Sequence, residues 1–214
     1  MEQIIKKIEM SAIITINMKL SFIVRRFSMS DKSELRQQLL KKRAELPYPL
    51  WKEKSEKIFR SVIGHPLFKS ASTIYIYIDY KNEVSTRLII EEAWKLNKTV
   101  AVPKIINQEM RFYKIQSFND LQPGMFGIFE PTSSEEITTN HGLMIMPGVA
   151  FDSNCHRIGY GKGFYDCYLK SFPHLNTLAL AFDCQIVEDI TAEDHDIDPQ
   201  LVVTESQIFY QKKE

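Results

Sequence analysis

The run Leu143-Met-Ile-Met146 is apolar at every position, with no alternation between an inner and an outer face. A strand of that kind needs cover on both sides, as strands in the middle of a parallel sheet have. Other short runs share the character. Thr73-Ile-Tyr-Ile-Tyr-Ile-Asp79 is β-branched and aromatic, with Tyr75 and Tyr77 read as core residues, and Leu178 to Phe182 and Leu201 to Thr204 are similar. Thr99 to Ile105 and Arg111 to Ile115 add two more strands. Between them the apolar period becomes helical. Leu35, Leu39, Leu40 and Leu46 predict a helix from about Asp31 to Glu45, which Pro47 stops. Pro49 suits the first turn of a second helix carrying Trp51, Ile58, Phe59 and Val62, ended by Gly64. Thr86 to Leu96 reads as a helix with Leu88, Ile89, Ala93 and Trp94 inward, and Phe164 to Leu169 opens another. Strands alternating with helices predict an α/β sheet with helices on both faces, a three-layer arrangement. Such sheets bind ligands beyond the carboxyl ends of their strands. Chemistry is therefore expected in the loops after Asp79, Ile105, Met146 and Asp183.

A chain of 214 residues predicts one domain with at most an appendage. Lys plus Arg equals Asp plus Glu at 27 each. That balance argues against broad binding to nucleic acid, whose affinity comes largely from phosphate neutralisation. It leaves room for a local basic site for a small anion. Cys155, Cys167 and Cys184 form neither a C-x-x-C pair nor a zinc-type cluster, so buried or half-buried thiols in a reducing, cytoplasmic compartment are expected. No stretch reaches the roughly 18 apolar residues of a membrane span.

Residues 1–28 differ from the rest. Ile14, Ile16, Met18, Leu20, Phe22 and Val24 alternate with Thr15, Asn17, Lys19 and Ser21, a strand-like period. The segment can be an added edge strand or a tail outside the functional domain. Ser30 and Asp31 are good helix caps, and Asp31-x-x-Glu34 resembles a capping box, so the catalytic domain is expected to run from residue 29 to 214, with Met29 close to the biological start. A chain beginning at Met29 is accordingly expected to keep full activity.

The most informative stretch is MPGVAFDSNCHRIGYGKGFYDCYL, Met146 to Leu169. A buried strand ends at Pro147-Gly148, and Asp152, Arg157, Gly159, Gly161, Lys162, Gly163 and Asp166 lead into a helix. Glycines at alternate positions let the backbone approach a ligand closely. Successive amides and the following helix N-terminus favour an anion. Arg157 adds a planar fork and Lys162 a point charge. Asp166 is within reach of a metal carried by phosphates. The spacing is neither that of a Walker loop nor that of the dinucleotide fingerprint.

The run RIGYGKGFYD behind MPGVAFD resembles the signature of the 5-formyltetrahydrofolate cyclo-ligase (methenyltetrahydrofolate synthetase) family. Lys32-Ser-Glu-Leu-Arg36, Asn82-Glu-Val-Ser-Thr86, Met110-Arg-Phe-Tyr113, Gly127-Ile-Phe-Glu-Pro131 and His195-Asp196 are similar to further family segments, in order. Many members have Arg between the first two loop glycines, where this chain has Tyr160, and Gln200 stands near the usual place of a second acidic residue.

The resemblance implies the sheet type of ribose-phosphate isomerase and the CoA-transferases. It implies conversion of 5-formyltetrahydrofolate to 5,10-methenyltetrahydrofolate with ATP and Mg²⁺, giving ADP and phosphate. Phosphorylating the formyl oxygen turns a poor leaving group into a good one, so that the neighbouring folate nitrogen can attack. On the same basis Lys32, Ser33, Glu34, Leu35 and Arg36 contact ATP, as do Arg157, Ile158, Gly159, Tyr160, Gly161, Lys162, Gly163, Phe164 and Tyr165. Arg36, Glu83, Tyr160, Gly161, Lys162, Gly163 and Phe164 line the folate side. Lys162 and Arg157 are the catalytic cations, and Asp166 and Asp196 hold Mg²⁺. Phe126 and Phe129 are candidates to pack on the pterin, and His156 and His195 are read as structural. A monomer acting on 5-formyltetrahydrofolate is expected, with polyglutamylation of the substrate left open and no nucleic acid or membrane partner.

Overall fold

The computed structural model describes residues 32–124, 127–193 and 196–212. The extension at 1–28, the caps at Ser30 and Asp31, Phe126 and His195 lie outside those residues. The chain divides into two compact units, Met1–Gln38 and Leu39–Glu214. In the first unit the described residues are helical, belonging to helix α1 at 32–44.

The second unit is built on a seven-stranded sheet. Its strands are β1 (Thr73–Ile76), β2 (Thr99–Ile106), β3 (Glu109–Ile115), β6 (Leu143–Met146), β9 (Asn176–Leu180), β10 (Leu201–Val203) and β11 (Ile208–Tyr210). The spatial order is β11-β10-β9-β6-β1-β2-β3. All inner pairs are parallel, and only the outer pairs, β2 with β3 and β10 with β11, are antiparallel. Two small hairpins stand apart: β4 (Leu121–Pro123) with β5 (Phe129–Pro131), and β7 (Ala150–Phe151) with β8 (Arg157–Ile158).

The pleat sorts each strand's residues into two apolar clusters. Ile74, Ile76, Leu143, Ile145, Leu178 and Leu180 face one side with Ile58 and Val62 of α2 (Tyr48–Gly64), Phe68 of α3 (Pro66–Ser70) and Ile89, Ile90 and Ala93 of α4 (Arg87–Lys95). Tyr75, Met144, Met146 and Ala179 face the other with Tyr168 and Leu169 of α5 (Phe164–Ser171) and Phe151 of the β7–β8 hairpin. The whole of β6 is buried, as its unbroken apolar run requires. At roughly 1.5–3 kcal/mol per fully buried large aliphatic side chain, these positions dominate the favourable side of folding. Among the described residues no helix is long and apolar enough to cross a membrane.

Two details depart from the sequence reading. Leu88 is 38% exposed while Ile90 is fully buried. With Thr86, Ile89, Ile90 and Ala93 buried, the inward stripe follows i, i+3, i+4, i+7, and Leu88 falls beside it. β1 also ends at Ile76 rather than running to Asp79. The Tyr77 carbonyl accepts the Thr86 hydroxyl at 2.9 Å, and Asp79 accepts both the Thr86 amide and hydroxyl at 2.9 Å, so the chain is already turning into α4. Asp79 is thus the carboxylate that serves the start of α4.

Candidate functional site

The chain leaves β1 towards β2 and β3 on one side, and returns to place β6, β9 and β10 on the other. The boundary between β1 and β6 is therefore a switch point, where parallel strands send their following loops apart and leave a crevice. The loop after β1 carries Glu83. The chain after β6 carries the glycine-rich loop. The two meet: the Tyr160 hydroxyl donates to Glu83 Oε1.

The path from β6 to the glycine loop is held by backbone contacts. An added Cβ at Gly148 would lie 2.3 Å from the Phe151 ring, so only glycine lets the chain turn this close to the hairpin. Gln185, 1% exposed, donates to the carbonyls of Gly148 and Val149 at 2.9 and 3.1 Å. Asp152 is fully buried and takes four donors: the amides of Asn154, His156 and Ile190 at 2.9, 3.0 and 3.0 Å, and His156 Nδ1 at 2.8 Å. Asp152, His156 and Asp189 also group closely enough to hold a metal. Those four donors account for the Asp152 carboxylate without one.

Burial works against the His156 imidazolium, but the hydrogen bond and charge of Asp152, helped by Asp198 and Asp189, outweigh it and raise its pKa. A raised histidine stabilises the fold below its unfolded value near 6.5, and the contribution is lost as pH rises through the folded value. The melting temperature of the protein should therefore exceed that of His156→Gln by most at about pH 6. Thermal melts of the two proteins from pH 6 to 8 should show the gap narrowing.

Beyond β8 the loop is shaped around Arg157. A Cβ at Gly159 would meet Arg157 Nη1 at 2.9 Å, so glycine makes room for the guanidinium. Gly161 and Gly163 have φ of 86° and 65°, and Gly163 caps α5 from the left-handed region without a side-chain cap. The first amides of α5 are left for an outside acceptor. Arg157 Nη2 donates to Asp166 Oδ1 at 2.7 Å, with side-chain exposures of 6% and 16%. Its Nε is buried without a hydrogen-bond partner. Lys162 is exposed on the same loop. The two expected loop cations thus differ: Arg157 is neutralised by Asp166 and anchors the loop, while Lys162 stands in the open.

Glu83 is 7% exposed. Its Oε2 accepts the Tyr80 amide at 2.8 Å, its Oε1 accepts the Tyr160 hydroxyl, and its carbonyl accepts Trp51 Nε1 at 2.7 Å. Burial raises its pKa, against the hydrogen bonds from Tyr160 and Tyr80 and the charge of Arg43. Tyr160 is 45% exposed, but its hydroxyl points inward, and burial together with the Glu83 charge pushes its pKa well up. The phenol is therefore neutral. Tyr165, behind the loop, is pushed up for the same two reasons.

The structure pairs Glu83 with Tyr160 and Arg157 with Asp166, and Tyr165 lies between the pairs, with the Arg157 guanidinium carbon 5.9 Å from its ring centroid and the charges of both Glu83 and Arg157 acting on its hydroxyl. Asp196 adjoins this group through its neighbour, because the amide of the next residue, Ile197, donates to Asp166 Oδ1 at 3.2 Å. The Asp196 carboxylate itself accepts the Glu193 amide at 3.0 Å. Lys32, Ser33, Glu34, Leu35 and Arg36 lie on α1 within the first unit. Phe129 is 49% exposed on β5. Sequence reasoning missed Arg43. It is 5% exposed and donates from Nη2 to the Tyr160 hydroxyl at 2.8 Å. The available signal was a charged residue four after Leu39, on the helix face that turns inward.

A sequence model of the 5-formyltetrahydrofolate cyclo-ligase family matches residues 28–205. The 5-formyltetrahydrofolate cyclo-ligase of Mus musculus is 31% identical over 156 residues, covering 64% of this chain and 75% of that protein. That of Mycoplasma genitalium is 32% identical over 167 residues, covering 75% and 90%. The solved structure of 5,10-methenyltetrahydrofolate synthetase from Aquifex aeolicus superposes with a TM-score of 0.77 at 31% identity, covering 86% of this chain and 94% of that one.

Proposed function

The chain belongs to the 5-formyltetrahydrofolate cyclo-ligase family, and we propose that the crevice between the loop after β1 and the glycine loop is where it performs that family's reaction. The activity is the ATP-dependent cyclisation of 5-formyltetrahydrofolate to 5,10-methenyltetrahydrofolate. The observation that carries the placement is the contact of Glu83 with Tyr160 across the switch point, beside the exposed Lys162.

The folate lies on the Glu83 side. The buried carboxylate, fixed by the Tyr80 amide and the Tyr160 hydroxyl, orients the formyl-bearing ring. The triphosphate lies along Gly159 to Phe164, where the free amides of α5 suit an anion. The formyl oxygen attacks the γ-phosphorus and ADP leaves. The second folate nitrogen then closes on the formyl carbon, its proton passes to solvent, and phosphate departs with the electrons of the C–O bond. Such a transfer needs mostly positioning and charge neutralisation. Lys162 supplies an unshared positive charge, and Arg157 holds the loop in shape through Asp166. On the strength of the resemblance alone, Lys32 to Arg36 are assigned to ATP and Arg36 also to the folate.

The donor set also fits Mg²⁺, which favours one or two carboxylates with waters and phosphate oxygens. Asp166 has one oxygen engaged by Arg157 and Ile197, and its other oxygen offers a hard donor beside the loop. Asp166 and Asp196 are the residues that would hold the ion, whose charge would offset that of the phosphates. We extend the reading to a cytoplasmic monomer on a sheet of the ribose-phosphate isomerase and CoA-transferase type. The mostly parallel sheet with apolar clusters on both faces supports the sheet type, and the three free cysteines, of which Cys167 is exposed rather than buried or half-buried, support a reducing compartment. The deciding experiment mixes protein, 5-formyltetrahydrofolate, Mg²⁺ and ATP and follows the absorbance of the methenyl product. Growth of that band with equimolar ADP and phosphate is the expected result, and its absence from folded protein would refute the reading.

A further inference from the structure

Resting on that reading of Glu83 as the substrate carboxylate, we propose that Arg43 is a positioning residue that keeps Glu83 in its acceptor form through the Tyr160 hydroxyl. A guanidinium only donates, so the Tyr160 oxygen must accept from Arg43 Nη2, 2.8 Å away. A phenol has one proton, and it is then directed at Glu83 Oε1. The other Glu83 oxygen faces the Tyr80 amide, which also only donates. Both carboxyl oxygens are thus required to accept, as only the ionised group does. A protonated Glu83 could satisfy its own proton only by donating to the Tyr160 oxygen. The phenol proton would then have to turn towards Arg43, which cannot receive it. Arg43 thereby closes the route by which burial would otherwise neutralise Glu83.

Arg43 is fixed for this role. It is 5% exposed, and its guanidinium carbon lies 5.9 Å from the Tyr160 ring centroid. Asn82, next to Glu83, donates to the carbonyls of Arg43 and Ala44 at 3.3 and 3.1 Å, tying the loop after β1 to the C-terminal turn of α1. The other groups facing Glu83 do not replace Arg43. Asp79 is a carboxylate and repels its charge. Tyr77, whose hydroxyl donates to the Val84 carbonyl at 3.0 Å, and Tyr165 are neutral phenols kept so by burial. Arg43 is the cation of the set.

The test compares Arg43→Gln, Arg43→Lys and Tyr160→Phe. Glutamine is two atoms shorter and uncharged, and its amide oxygen accepts, directly or through a water, so it lets the phenol reverse. Lysine only donates, so it keeps the polarity. If Arg43 acts as proposed, the acid limb of kcat/KM for 5-formyltetrahydrofolate moves to higher pH in Arg43→Gln and Tyr160→Phe. Their loss is tenfold or more at pH 6, carried mainly by KM, and shrinks as pH rises; Arg43→Lys keeps the acid limb of the parent. A loss in Arg43→Gln that is uniform across pH, or an Arg43→Lys protein no better than Arg43→Gln, would mean a merely structural role and overturn the proposal. The pH titration of the Glu83 side-chain carboxyl, followed by carbon-13 NMR in the unliganded protein and in Arg43→Gln, needs no turnover. An upward shift in the variant supports the relay and superposed titrations sink it, even if the protein made no methenyl product.

Discussion

Lys162→Ala should lower turnover about a hundred- to a thousandfold and leave the melting temperature nearly unchanged. Lys162 is exposed on a loop whose glycines already set the backbone, so its side chain packs no core. Exposed substitutions of that kind usually change stability by less than about 0.5 kcal/mol. Its partner in the glycine loop, Arg157, is committed to Asp166, which leaves Lys162 to meet the charge that develops during phosphoryl transfer. Removing one such preorganised donor commonly costs about 3–4 kcal/mol in the transition state. Steady-state kinetics and a thermal melt on the same preparation check both halves. A folded variant with parental turnover would return the role to Arg157.

Asp166→Asn should instead unfold at a markedly lower temperature. The substitution keeps the shape but removes the negative charge from a buried Arg157 whose Nε is already unpartnered. Breaking one side of a buried ion pair costs about 3 kcal/mol at the lower end of the usual range. In a domain of this size that is roughly 6–12 °C of melting temperature. Replacing both partners, as in Arg157→Leu with Asp166→Leu, should recover a large part of the loss, because no charge is then stranded. The proposed metal role has a separate readout. At a temperature where both proteins are folded, Asp166→Asn should need more Mg²⁺ for half-maximal activity, and Asp196→Asn should show the same shift more weakly. A lowered melting temperature with an unchanged Mg²⁺ titration would leave Asp166 as a loop anchor alone.

The class of fold was legible because it follows from local chemistry. Leu143 to Met146 has no polar face to offer water, so it had to be central, and Tyr75 and Tyr77 had to be core. The glycine loop was legible too, since left-handed backbone at Gly161 and Gly163 and a cramped turn at Gly148 leave few other residues possible. Leu88 shows where local reasoning fails. Its helix has several apolar residues, and which of them face inward depends on how α4 is rotated against the sheet.

Tertiary structure alone decided which charges are spent and which are free. Arg157 and Lys162 are five residues apart in a row of glycines, and composition treats them alike. Only the return of α5 brings Asp166 onto Arg157 and leaves Lys162 open. Glu83, Tyr160 and Arg43 stand far apart in sequence, and nothing near any of them announces the others. Strand order brings them together, with β6 inserted beside β1 so that two distant loops share one crevice. Apolar patterning is a property of neighbours along the chain. The pairing of buried charges depends on distances that exist only after the sheet has assembled, and that is where the chemistry of this site was determined.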